Sequence, residues 1–276
     1  MNALHAPVLA VALVAALVAP PAAAQDRASL RVCLDPAASS RGAAEACRRA
    51  LDRGGLTVRE QSAAWTNLGA ALTELDRDGD ALTAFDRAVA ADPAFAPARI
   101  NRALVRARRG MEDAALADWT EAIRLAPADW EARQGRAGLL LRLGRPEAAL
   151  ADLEAALNRA PREADLHVNR GIALAALGRI GQARAAFDRA VTLAPDDPVP
   201  WLERGRLRAE ADPQGALSDF TEALRRDPAW AAVHVDRGRL LERLGRTEAA
   251  LSDYRRAFEL GLQDPWLNAR IEALRN

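Results

Sequence analysis

The chain contains no lysine: all 38 of its basic residues are arginine, and they are matched by 38 carboxylates, for a formal charge of zero. Holding a nucleic-acid backbone takes a surplus of cations, so nucleic acid is excluded as a partner class. Arginine and alanine use GC-rich codons, and their abundance beside absent lysine points to a bacterium of high genomic GC content. Aromatics are scarce, with one tyrosine, five phenylalanines and six tryptophans, and β-branched residues are few, which leaves little material for strands. Three histidines and two cysteines make no cluster of metal-ligand spacing, and G-x-S-x-G, Walker and G-x-G-x-x-G motifs are absent, so neither a metal nor a cofactor is expected. The carboxylates recur with a period, described below, and none stands apart as a tuned acid/base pair. The chain therefore reads as a non-enzyme. Alanine and leucine, the strong helix formers, dominate a sequence that is 50% hydrophobic and 28% charged, a composition that folds and predicts an all-α class.

Residues 6–19, APVLAVALVAALVA, carry no charge and run into two prolines and Ala22-Ala23-Ala24. This pattern predicts a secretory signal peptide over residues 1–24 with cleavage after Ala24; the apolar core is short for a membrane span, although an uncleaved anchor is the competing reading. No cysteine follows at once to take a lipid. The expectation is a periplasmic or secreted protein with no stable membrane insertion after cleavage, in an oxidising compartment.

From there the sequence repeats. Small residues recur at Gly69, Ala103, Ala137, Gly171, Gly205 and Gly238, with spacings of 34, 34, 34, 34 and 33. Ala81, Ala115, Ala149, Ala183, Ala216 and Ala250 follow in step, then bulky Phe85, Trp119, Leu153, Phe187, Phe220 and Tyr254, then Ala88, Ala122, Ala156, Ala190, Ala223 and Ala257. Five units close on a proline, at Pro93, Pro127, Pro161, Pro195 and Pro228, and the sixth has Leu262. Spacings of three and four put a small-large-small stripe on one helical face, and glycine turns such as Arg109-Gly110, Gly144-Arg145 and Gly245-Arg246 separate two helices per unit.

The arrangement resembles the tetratricopeptide repeat family, whose unit carries a small residue at position 8, Ala at 20, an aromatic at 24, Ala at 27 and Pro at 32. Counting from Ser62, Ala96, Trp130, Ala164, Pro198 and Ala231 gives six repeats. The resemblance implies a right-handed α-solenoid: a cap over residues 25–61 with a half-repeat (Ala43, Cys47, Ala50), six repeats over 62–264, and a capping helix over 265–276. Position 11, usually Tyr, is Leu72, Arg106, Leu140, Leu174, Arg208 and Leu241, and repeat five, one residue short, is expected to have a tighter turn near Asp212-Pro213. Cys33 and Cys47 are the only cysteines, and export predicts a disulfide between them that seals the first end of the stack.

Comparison among the repeats assigns more. Position 7 is Arg102, Arg136, Arg170, Arg204 and Arg237, and the residue before the bulky one is Asp118, Asp152, Asp219 and Asp253, with Ala186 breaking the series. The matching points to an Arg–Asp bridge inside each hairpin. His167 and His234 both fall at position 4, a packing position. By the resemblance the first helices line a groove for a protein or peptide partner. Asn67, Asn101 and Asn169, at position 6, either hold a peptide backbone there or brace neighbouring helices. Arg206, Arg239 and Arg243, at positions 9 and 13, cluster there with Glu203, Glu210, Asp236 and Glu242, so this half of the groove is mixed in charge. The function expected is a protein-binding scaffold of the bacterial envelope; a structural or self-associating subunit of an envelope complex is the alternative.

Overall fold

The computed structural model describes residues 27–275; the signal segment and its cleavage point lie outside them. Among the described residues every regular element is a helix, and no helix is long and apolar enough to cross a membrane. The chain divides into two compact units between Arg159 and Ala160. The first holds α1 (Ala28–Cys33), α2 (Ser40–Arg53), α3 (Val58–Glu74), α4 (Asp78–Ala91), α5 (Ala96–Arg108), α6 (Glu112–Leu125), α7 (Glu131–Arg142) and α8 (Pro146–Leu157). The second holds α9 (Ala164–Ala176), α10 (Ile180–Leu193), α11 (Pro198–Arg208), α12 (Pro213–Arg226), α13 (Ala231–Arg243), α14 (Thr247–Glu259) and α15 (Pro265–Ala273). No boundary inside the run of repeats is visible in the sequence. The division follows α8, which stops four residues before its closing Pro161, whereas α4, α6, α10 and α12 each reach to two residues before theirs.

Each repeat is an antiparallel hairpin built around its bulky residue. Phe85, Trp119, Leu153, Phe187, Phe220 and Tyr254 are all buried, and the small residues around them let two helices approach to contact. The fit leaves no slack. A β-carbon on Gly69 would fall 2.6 Å from the Phe85 ring, and one on Gly171 2.5 Å from Phe187. Repeats two and three have Ala103 and Ala137 at that place instead. In repeat three the bulky residue is the smaller Leu153; in repeat two the indole of Trp119 reaches into the next hairpin, where a β-carbon on Gly135 would lie 2.7 Å away. Overpacking such a contact costs about 1–3 kcal/mol.

The hairpin turns share one hydrogen-bond pattern. In repeat two Gly110, at φ +74°, donates to Ala107 O, and Met111 donates to Arg106 O at 2.8 Å; the left-handed residue turns the chain while capping the last carbonyls. Asp76, at φ +57°, takes this place in repeat one. The same device replaces the missing proline after α14, where Leu262 donates to Ala257 O at 3.1 Å and Gly261 has φ +92°. Repeat five differs from expectation. Its turn is not tightened: the lost residue comes from α11, which ends at Arg208, and four residues then lead to α12. Pro213 opens that helix and Asp212 caps it by accepting from Gly215 N at 2.9 Å, so the chain needs no left-handed residue there.

Ahead of the repeats, α1 and α2 pack on α3. Leu30, Cys33, Ala43, Cys47 and Ala50 are buried with Ala64, Leu68 and Ala71. Cys33 and Cys47 are joined by a disulfide with Cα atoms 4.6 Å apart. A closed loop of this size is worth about 3 kcal/mol in the chain-entropy account.

Arginine at position 7 fixes the hairpins. Arg102 donates through Nε and Nη2 to both oxygens of Asp118 at 2.8 and 2.6 Å; Arg136 does so to Asp152 at 2.7 and 2.7 Å, Arg204 to Asp219 at 3.0 and 2.6 Å, and Arg237 to Asp253 at 2.8 and 2.8 Å. These are bidentate, charge-assisted contacts on buried carboxylates. The guanidinium also has a third arm: its Nη1 reaches the preceding repeat, at Asp86, Thr120, Asp188 and Thr221 in turn. Position 11 varies with that arm. Where it is arginine, Arg106 and Arg208 bind the same buried aspartates at 2.7 and 2.9 Å, and the preceding repeat supplies a second carboxylate, Asp86 or Asp188. Where it is Leu140 or Leu241, the preceding repeat supplies only a threonine hydroxyl. Cations and anions are thus added together.

Position 4 has a second task besides packing. Arg99, Arg133, His167, Trp201 and His234 each present a side-chain nitrogen to the carbonyl of the proline six residues back, at 3.3, 2.8, 3.0, 3.1 and 3.2 Å. A proline carbonyl at a helix end lacks a partner of its own, and any N–H of suitable reach supplies one.

Repeat four lacks the clamp, since Arg170 is paired in sequence with Ala186. Arg136→Ala leaves Asp152 buried without its partner and is expected to lower unfolding free energy by about 1–3 kcal/mol. Arg170→Ala is expected to cost much less, and Ala186→Asp to raise stability. Urea denaturation of the three variants checks this, and equal losses for the two arginine variants would remove the hairpin pairing from the account.

Candidate partner-binding face

The helices that open the repeats turn one face away from the spine and the clamps. In the first unit it is carried by α5 and α7, the corresponding side of α3 being buried, and in the second by α9, α11 and α13. The three asparagines expected on this face do not share one environment. Asn67 is 1% exposed and its Nδ2 donates to Cys33 O at 3.1 Å: α1 covers it, and it braces the cap. For Asn67 this is the bracing alternative of the sequence analysis, with a partner on α1, which is not part of any repeat. Asn101 is 4% exposed, and its Nδ2 is shut from solvent without a partner among the described residues. Asn169 is half-buried and has no side-chain hydrogen bond among the described residues. Of the three, only Asn169 offers its amide at the surface.

The arginine cluster, in contrast, is brought together. Arg206, Arg239 and Arg243 line one cleft of about 220 Å³ in the second unit, with Asp236 beside them and Ala209 on its floor over the buried Phe220 and Leu240. Arg206 bridges Glu203 and Asp236, at 2.7 Å each. Arg243 pairs with Glu210 and donates to Ala209 O at 2.6 Å. Arg239 has no carboxylate partner among the described residues; its guanidinium lies 4.2 Å from the centroid of the Trp266 ring. Trp266 also meets Tyr254 edge-on, with centroids 5.6 Å apart, and Tyr254 donates to Glu242 Oε2 at 2.9 Å. Trp266, Glu203 and Asp236 were not selected as site residues from sequence. The two acids occupy position 6 of repeats five and six, where repeats one, two and four carry asparagine; Trp266, on α15, falls outside the repeat period.

Burial pushes the Glu203 carboxyl above the usual glutamate range, the charge of Asp236 adds to this, and Arg206 opposes it. Among the described residues no group of three or more His, Cys, Asp or Glu is placed to hold a metal ion.

A family model for the tetratricopeptide repeat matches residues 38–96, 136–198 and 206–265. The chain belongs to the tetratricopeptide repeat family. Its fold is the family's all-α solenoid of tandem helical hairpins, generally a non-catalytic frame for protein–protein interaction. Among solved structures it is similar to a tetratricopeptide repeat protein from Parabacteroides merdae (19% identity, TM-score 0.67, covering 86% of this chain and 93% of that one). It is similar also to PilW, a type IV pilus biogenesis factor (21% identity, TM-score 0.70, 78% and 98% covered), and to pilF of Pseudomonas aeruginosa (18% identity, TM-score 0.68, 79% and 98% covered). At these identities the likeness is one of fold. Among curated proteins the chain has no match.

Glu203 gives this face a pH signature. Between the ordinary glutamate value of 4.5 and the raised value in the fold, the folded chain keeps a proton that the unfolded chain has lost, so stability falls as pH rises through that window. Glu203→Gln still accepts from Arg206 and removes the penalty. Thermal melts should show it more stable than the parent at pH 7, with the two converging below about pH 4; a gap that widens on acidification would contradict the assignment.

Proposed function

We propose that this tetratricopeptide repeat protein is a non-enzymatic scaffold of the bacterial envelope that holds a segment of a partner protein on its first-helix face, with Asn169, Arg206, Arg239 and Arg243 among the contacting residues. One observation carries the reading: spine, clamps and position-4 side chains are spent inside and between hairpins, while the first-helix face of the second unit keeps an apolar-floored cleft with an unpaired guanidinium at its rim. The tie between Glu203 and Arg206 argues against a free acid/base group there. Export rests on residues 1–24, and the Cys33–Cys47 disulfide agrees with an oxidising compartment.

Two experiments test this. A photo-crosslinking residue placed at Ile172 or Arg206, on the first-helix face, should capture a partner in the envelope, whereas one at Arg184 on α10 should not; capture from Arg184 alone would move the function to the other face. The exported protein should begin at Gln25 by mass spectrometry and show no free thiol in denaturant. An intact Met1 would exclude cleavage, and two titratable thiols would exclude the disulfide.

A further inference from the structure

The cleft between α11 and α13 allows its occupant to be described chemically. Its floor is Ala209, over the buried Phe220 and Leu240, and its volume of about 220 Å³ falls below the roughly 300–1,000 Å³ of small-molecule sites. It has room for one large side chain and little else. Of the three arginines at its rim, Arg206 is held by Glu203 and Asp236 and Arg243 by Glu210 and Ala209 O. Arg239 alone is left, and it is held differently. Stacking on the exposed face of Trp266 uses the π surface of the guanidinium and leaves its in-plane N–H groups free, the geometry that takes a carboxylate through two parallel hydrogen bonds. The surrounding acids limit the choice. Glu203, Asp236 and Glu210 already stand around the cleft, so a run of acidic residues would be repelled, while a single carboxylate completes the one unpaired cation.

We propose that this cleft receives a partner segment in which one large apolar side chain is followed by a single side-chain carboxylate, the apolar group against Ala209 and the stems of the rim arginines and the carboxylate on Arg239. This rests on the reading of the first-helix face as the binding face and goes further in naming the pair of groups recognised. Trp266 is then a positioning residue, holding the guanidinium flat at the rim.

The test uses the full chain and labelled, amide-capped ten-residue Gly-Ser peptides with a central Leu-Asp, Leu-Asn or Ser-Asp, read by fluorescence polarisation. Leu-Asp should bind about tenfold tighter than either counterpart, a gap of about 1.4 kcal/mol. Arg239→Gln should bring Leu-Asp down to the Leu-Asn level without changing the melting temperature, while Arg142→Gln, on α7, leaves binding unchanged. If Leu-Asp binds and Arg239→Gln leaves its affinity intact, the cleft assignment is overturned and the binding-face reading stands. A peptide ending in leucine with a free carboxylate that binds where Leu-Asp does not would overturn the side-chain carboxylate in favour of a chain terminus. Absence of binding by every peptide, while crosslinks from Arg206 still capture a partner, also overturns the cleft chemistry alone; loss of both removes the face itself.

Discussion

Everything in this fold depends on how closely two helices of one hairpin approach. Alanine at positions 20 and 27 and a glycine or alanine at position 8 remove the side chains that would hold the helices apart, and one bulky residue fills the space that remains. The margin is less than a methyl group, as the contact of Gly171 with Phe187 shows. Such packing is tolerant of chemistry and intolerant of volume, which is why Phe, Trp, Leu and Tyr all serve at position 24 provided that a small residue, here or in the next hairpin, yields the matching space.

Close approach does not by itself choose a register, and the polar groups do that. A guanidinium fork on a buried aspartate accepts one geometry, and its third arm extends the constraint to the hairpin before it. Ion pairs of this kind add less net stability than their short distances suggest, because both charges are taken out of water; their value is that misalignment leaves a carboxylate buried and unpaired. The proline carbonyls are treated the same way at the joints between repeats, through neutral and cationic donors alike.

The sequence made the hairpin period, the spine and the position 7 pairing legible because six copies in one chain act as their own comparison: where Arg is missing in repeat one, so is Asp. The third arm was not legible, since aspartate and threonine alternate there and share only an acceptor oxygen. Nor was the role of position 4, where Trp, His and Arg look unrelated until each is seen to offer an N–H at the same reach. On the first-helix face, the grouping of Arg206, Arg239 and Arg243 was legible because positions 9 and 13 are set by the repeat. For Asn67 the choice between bracing and binding was not legible, and Trp266 was passed over, because what they touch, or what they are, belongs to α1 and α15, outside the period.

The short α11 shows where the repeat can be edited. The residue lost from repeat five came from the free end of its first helix, beyond the last spine and clamp positions, and the hairpin still carries Phe220 in its pocket and Arg204 on Asp219. That end is also where Ala209 and Glu210 meet the cleft. A lineage that lengthens or trims this turn therefore reshapes the cleft while leaving the architecture untouched, and a protein engineer inserting a loop there works along the same line of tolerance.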